Sequence, residues 1–162
     1  MALILSLAAP AWALREDAEQ PILIEAQDAE INQTDQEVIY YGAVAVQQGS
    51  LDLKAERMTV KYDGKKVVRI TAVGTPAEYQ QTLEDSQGNV HAHANTIVYH
   101  PQAEQMDLQG KAELVQQGNR IRSDLITYDI VEGKVKATSA DRKPVRMVIQ
   151  PAAIRDAGGP ED

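Results

Sequence analysis

The three histidines are weighed first, because imidazole both ligates metals and moves protons near neutral pH. His91 and His93 stand two residues apart in Val90-His-Ala-His-Ala94, which sets both rings on one face of a strand. A cupin-type metal site begins in this way, but it needs a carboxylate a few residues on. Here Ala94, Asn95, Thr96 and Ile97 follow, and His100 sits apart at a turn before Pro101. The pair therefore reads first as two solvent-facing residues beside a core strand, and a cupin-like metalloenzyme is only a distant third reading of the chain. There is no cysteine, so thiol chemistry and thiolate metal sites are excluded. No Gly-x-Ser-x-Gly elbow, phosphate loop or His-Glu-x-x-His motif occurs. The acids are spread along polar faces. Nothing nominates a catalyst, a metal or a cofactor.

The cations leave two readings open. Lys54, Arg57, Lys61, Lys65, Lys66 and Arg69 form one basic stretch, and Arg120, Arg122, Lys134, Lys136, Arg142, Lys143 and Arg146 form another. They are either part of a mixed solvated face or a rim that meets anionic groups at the mouth of a groove. The net charge of −8 argues against a nucleic-acid partner, which needs a cationic surface.

The elements that must position these residues alternate almost everywhere. In Val38-Ile-Tyr40-Tyr-Gly42-Ala-Val44-Ala-Val46 the even positions carry the heavier apolar set, and Met106 to Leu114 is apolar on even positions and polar on odd ones. Period two with β-branched residues predicts strands with one buried face. Turn signals separate them: Gln47-Gln-Gly-Ser50, Asp63-Gly-Lys65, Gly74-Thr-Pro76, Asp85-Ser-Gln-Gly-Asn89, His100-Pro101, Gln117-Gly-Asn119 and Glu132-Gly133. No window holds a helical period. The chain has no Phe, and its one Trp is Trp12, so the core must be built from Val, Ile, Leu, Met, Ala and Tyr.

One pattern occurs four times, in Ile24–Ile31, Leu53–Val60, Ala92–Tyr99 and Ile121–Tyr128, reading apolar, polar, small, amide or acid, with apolar residues at places six and eight. The first and third copies, and the second and fourth, are offset by about 68 residues, as are Gly42 and Gly110. Inside the pattern the apolar parity slips by one: Leu51, Leu53 and Ala55 are odd, whereas Met58, Val60 and Tyr62 are even. Such a slip predicts a bulge or corner, and the small residues before it (Ala26, Ala55, Ala94, Ser123) suit a crowded bend. Strands cornered at fixed places roll a sheet up.

Residues 1–13 read as a truncated signal peptide, with an apolar run from Ala2 to Ala9 and the small-x-small site Ala11-Trp-Ala13. The run is too short to span a bilayer. Residues 14–150 are expected to form one domain, and 151–162, rich in Pro, Gly and acids, a disordered tail. The export signal places the protein outside the cytoplasm.

Gln20-Pro-Ile-Leu-Ile-Glu25, Tyr41-Gly-Ala-Val-Ala-Val-Gln-Gln-Gly49, Leu53-Lys-Ala-Glu-Arg-Met-Thr-Val60, Gly74-Thr-Pro-Ala-Glu-Tyr79, Leu108-Gln-Gly-Lys-Ala112 and Ile121-Arg-Ser-Asp-Leu-Ile-Thr-Tyr128, taken in this order, resemble the LptA/OstA-like family of periplasmic lipopolysaccharide-transport proteins. The resemblance covers about residues 20 to 150. It implies an all-β, OstA-like jellyroll: an open, V-shaped, twisted roll of many short antiparallel strands with an apolar interior groove for lipid A acyl chains. It also implies a periplasmic location and end-to-end assembly with an LptC-like inner-membrane protein and an LptD-like outer-membrane protein. Energy for directional movement would come from an ATPase elsewhere. The rival from another class is a β-roll scaffold of outer-membrane assembly that carries no lipid.

Inward parity gives the groove candidates Ile22, Ile24, Val38, Tyr40, Val44, Val46, Leu53, Met58, Val60, Tyr79, Leu108, Leu114, Ile126 and Tyr128. The plain alternative for each is core packing without a ligand. Bulky or charged replacements at Ile22, Ile24 or Val44 are expected to lower lipid loading with the fold intact. An open roll leaves an edge strand at each end, so Ile22, Leu23, Ile24 and Glu25 at one end, and Val145, Met147 and Ile149 at the other, are expected to mediate head-to-tail self-association.

Overall fold

The computed structural model describes residues 17, 20–83, 88–140 and 142–151. The 1–13 signal and all of the 151–162 tail beyond residue 151 lie outside the described residues. Ten antiparallel strands form: β1 (Leu23–Glu25), β2 (Asp28–Asn32), β3 (Glu37–Gln48), β4 (Leu51–Asp63), β5 (Lys66–Leu83), β6 (Gly88–His100), β7 (Gln105–Gln116), β8 (Asn119–Asp129), β9 (Lys134–Thr138) and β10 (Arg146–Val148). They make one unclosed sheet in the order β1-β3-β4-β5-β6-β7-β8-β10, with β2 also on β3 and β9 also on β8.

The inner strands are long and bent. Pairing registers jump between Tyr41 and Val44, Lys54 and Arg57, Val73 and Ala77, His93 and Thr96, and Gln109 and Ala112. These breaks line up across the sheet and divide each strand in two. One leg holds β1, residues 44–48, 51–55, 77–83, 88–94, 112–116 and 119–123, and β10. The other holds β2, residues 37–41, 57–63, 66–73, 96–100, 105–109 and 125–129, and β9. The short strands of the sequence reading are thus halves of cornered ones. Apolar side chains from both legs share a single core.

The four repeated motifs are the four passages from the first leg to the second, and their fourth residue always stands at the corner. Gln27 lies over Gly42, where an added Cβ would collide with its Oε1. Asn95 stands in the same relation to Gly110, at 2.8 Å from Nδ2. Glu56 accepts a hydrogen bond from the Thr75 hydroxyl, and Asp124 accepts one from the Ala140 amide at 2.8 Å. The strands that return carry their own device: Gly42 and Ala43 have φ of 74° and 46°, and Gly110 and Lys111 have 77° and 48°. Two consecutive left-handed residues turn the chain sharply, and glycine takes the first without a Cβ clash. The 68-residue offset is therefore a repeat of corner construction.

One turn signal is corrected. Gly74-Thr75-Pro76 is not a connection between strands but the corner of β5, which runs on from Lys66 to Leu83. The pairing of β5 with β4 and β6 on both sides of this corner overrides the local turn preference. The crowded bend also gives a test. Gly110→Ala should destabilise the fold by about 1–3 kcal/mol in urea unfolding, because it strains a left-handed position and drives a methyl into Asn95. The loss should shrink in an Asn95→Ala background, where only the backbone strain remains.

Candidate functional site

The pairing register traces rows of side chains along the roll, one residue per strand. On the first leg an inner row runs Ile24, Val46, Leu53, Tyr79, Ala92, Leu114, Ile121 and Met147. On the second leg one row runs Ala29, Tyr40, Met58, Ala72, Ile97, Leu108, Ile126 and Ala137. Beside it runs Ile31, Val38, Val60, Ile70, Tyr99, Met106, Tyr128 and Val135. Each row is apolar in character over its full length, from the β1/β2 edge to the β9/β10 edge. Small residues line the corner itself, with Ala55 opposite Val44, Ala77 opposite Ala94 and Ala112 opposite Ser123.

Twelve of the fourteen groove candidates lie on these three rows, and Val44 lies beside them on the corner line. Ile22 does not. It precedes β1 and is 57 % exposed, at the edge of the roll. Val44 is fully buried, where a charge or added bulk is expected to cost the fold as well as any guest.

Packing along the rows is graded. Met58, Ala72, Ile97, Leu108, Ile126 and Tyr128 are fully buried in the middle. At the ends, Ile31 and Met147 are 71 % and 54 % exposed, while Ile24, Ile121 and Val135 are half-buried against the core. The interior is filled at its centre and opens toward its edges. Near β10 it opens into a groove of about 240 Å³ lined by Leu114, Gln116, Gln117, Asn119, Ile121, Val135, Met147 and Ile149. Val135 comes from one leg and the other residues from the facing one, so this groove is the gap between the legs.

Polar atoms gather on the first leg away from its corner. The Tyr79 hydroxyl donates to Gln81 Oε1, and Gln81 Nε2 donates to Asp17 Oδ2 at 3.0 Å. Burial, with help from the neighbouring Tyr128, Tyr99 and Asp17, pushes the Tyr79 phenol well above its ordinary range. Asp17 also accepts from the Ser50 amide at 2.9 Å and the Ser50 hydroxyl at 2.6 Å. Burial works to raise the Asp17 carboxyl, and these hydrogen bonds outweigh it, so the net shift is downward. The Tyr128 hydroxyl reaches from the second leg. It is buried without a partner in hydrogen-bonding geometry, although Gln116 is close enough to oppose the upward shift that burial causes. The interior is thus apolar near its corner and carries hydroxyls and amides nearer its opening.

The outer face of the first leg holds what the sequence offered as chemistry. His91 and His93 face outward beside Asp52, Lys54, Glu78 and Gln80 around a shallow polar hollow of about 230 Å³. His100 is on the second leg, 3.3 Å from Asp107. The imidazoles do not converge, and among the described residues no group of three His, Cys, Asp or Glu side chains can hold a metal ion. Glu113, only 8 % exposed, pairs with Arg122 and lies 3.3 Å from Arg120. These two arginines therefore belong to a paired outer face and not to a cationic rim of the interior. Sequence reasoning missed Glu113, although the hairpin at Gln117-Gly118 already sets it opposite Arg122.

A sheet bent at aligned corners into two facing legs, unclosed, with apolar rows running from edge to edge, defines an OstA-like β-jellyroll. Residues 23–134 match the family described as LptA/(LptD N-terminal domain) LPS transport protein, and the chain belongs to that family. It is 33 % identical over 149 residues to the lipopolysaccharide export system protein LptH of Pseudomonas aeruginosa, covering 87 % of this chain and 85 % of that one. It is 32 % identical over 157 residues to the lipopolysaccharide export system protein LptA of Escherichia coli K12, covering 94 % and 83 %. The crystal structure of LptH, the LptA-homologous periplasmic component of the lipopolysaccharide transport device of P. aeruginosa, superposes with a TM-score of 0.76 at 34 % identity, covering 84 % of this chain and 99 % of that one.

Proposed function

We propose that this protein is a periplasmic carrier and bridge for lipopolysaccharide, taking lipid A acyl chains onto the apolar rows between its legs and passing them from the inner toward the outer membrane. It is a transport component and not an enzyme, as its relatives are. The observation that carries the reading is the continuity of the three rows from one edge of the sheet to the other, together with the opening at the β10 end. Each acyl methylene exposed to water costs about 0.8 kcal/mol. A tail of about a dozen methylenes therefore costs on the order of 10 kcal/mol, which bars free diffusion between membranes. Apolar rows of constant character remove that penalty while binding tightly nowhere, since each step exchanges one apolar contact for a similar one. Residues 1–13 would direct export, and the two exposed edges would join an LptC-like protein on one side and an LptD-like protein on the other, with further copies between them.

The filled centre favours one second reading, a scaffold of outer-membrane assembly that carries no lipid. A photo-crosslinking residue at Ile121 or Ile24, at the half-buried ends of the first row, separates the two. Expressed in a lipopolysaccharide-producing host, the carrier gives a lipopolysaccharide adduct at both positions. A protein that yields no adduct at either, and no lipid on solvent extraction, is the scaffold.

A further inference from the structure

Among the described residues, the Tyr128 hydroxyl is the one buried side-chain oxygen or nitrogen without a hydrogen-bond partner. Its neighbours explain why. Met106 and Val135 stand directly across from it on the flanking strands, and Ile126, two residues earlier, is fully buried like Met106. Gln116 is near the phenol without hydrogen-bonding geometry. Tyr79, on the first leg, is within electrostatic reach, but its own hydrogen is committed to Gln81 Oε1. Tyr128 thus holds a donor that no protein group accepts. Such a group loses its hydration on folding and regains nothing, whereas a phenylalanine would fill the same space without that loss. The hydroxyl also lies close to where a guest would enter. Gln116 and Val135 both line the groove near β10, and Tyr128 is next to Val135 on the row that runs inward.

We infer that Tyr128 is a specificity-determining residue of the groove: its hydroxyl donates a hydrogen bond to an oxygen borne by the guest's hydrocarbon tail, a hydroxyl or an ester oxygen close to the carboxyl end. The inference rests on the carrier reading above and adds a preference to it. The apolar rows accept any hydrocarbon, and Tyr128 favours a tail that brings an acceptor. In surroundings of low dielectric such a bond is stronger than in water. A plain tail shuts out water and leaves the donor unpaired, which is how a polar site rejects an analogue that lacks its partner. Apolar contact thus supplies the attraction, and one hydroxyl supplies the discrimination.

The test uses the full-length chain, stripped of lipid, and probes of one chain length: myristic acid, β-hydroxymyristic acid and β-acetoxymyristic acid. In calorimetry the wild type should bind an oxygenated probe about tenfold more tightly than myristic acid, the scale of a single hydrogen bond. Whichever oxygenated probe is preferred identifies the partner as a tail hydroxyl or an ester oxygen. Tyr128→Phe should bring the probes to near parity. Without lipid this variant should melt no lower than wild type, because it deletes only an oxygen that bonds to nothing in the protein. A wild type with no preference, or a preference that survives in Tyr128→Phe, would overturn the inference. So would a clearly lower melting midpoint for the variant, since the hydroxyl would then serve the fold. A wild type that binds neither the probes nor lipopolysaccharide would remove the carrier reading itself, and the inference with it.

Discussion

Ile121→Asp should give a folded protein that has lost its lipopolysaccharide. Ile121 sits between Leu114 and Met147 on the first-leg row, half-buried at the opening of the groove. A carboxylate there keeps much of its water, so its cost to folding is about 1 kcal/mol, the usual size for a substitution outside the packed centre. A hydrocarbon tail lying along the same row would strip that water without offering a hydrogen bond, and a charge desolvated in this way is strongly unfavourable. Lipid extracted per mole of purified protein should fall about tenfold or more, a loss that needs only about 1.4 kcal/mol of affinity. The thermal midpoint should move by a few degrees. Leu108→Asp is the contrast: the same charge at a fully buried site should prevent folding. An Ile121→Asp protein with wild-type lipid content would remove the opening from the path of the guest.

What the sequence conveys and what it hides follow from how a corner affects period two. In the strands that leave the first leg, one extra residue crosses the corner, so Leu53 and Ala55 face inward on odd numbers and Met58 and Val60 on even ones. That slip can be read directly. In the returning strands two residues, Gly42 and Ala43, cross opposite Glu56 alone. Tyr40 and Val44 both stay even, and the strand looks straight. Only the recurrence of glycine at 42 and 110 hints at the bend, and what makes those positions special is a left-handed backbone that no periodicity reports. The Gly74-Thr75-Pro76 triplet misleads in the other direction, since its local preference is for a turn and its continuation as a strand depends on pairing with residues on both neighbouring strands. The inward identity of Leu108, Ile126 and Tyr128 was legible from parity. Whether the legs close over them was not, because that depends on the distance between two halves of a bent sheet, and small and large side chains at facing positions compensate for one another.

Leu108→Ala tests whether the filled centre is where the guest's tails belong. Leu108 is fully buried between Ile97 and Ile126 in the second-leg row. Truncation removes packed carbons and leaves a gap that the surrounding sheet can close only in part, at a cost of about 2–5 kcal/mol. For a chain of this size, that corresponds to a lipid-free melting midpoint lower by roughly 5–15 °C. Added lipopolysaccharide stabilises whichever state binds it, in proportion to the logarithm of the occupied excess. If tails enter the centre by parting the legs, they must displace packing in the wild type, whereas in the variant they find room already made. The rise in midpoint with lipid should then be larger for Leu108→Ala than for wild type, and no larger than wild type for Met147→Ala at the exposed rim. Equal rises for all three proteins would mean that the tails never reach the centre, and that its packing serves only to hold the two legs at the spacing from which the outer parts of the rows present their apolar faces.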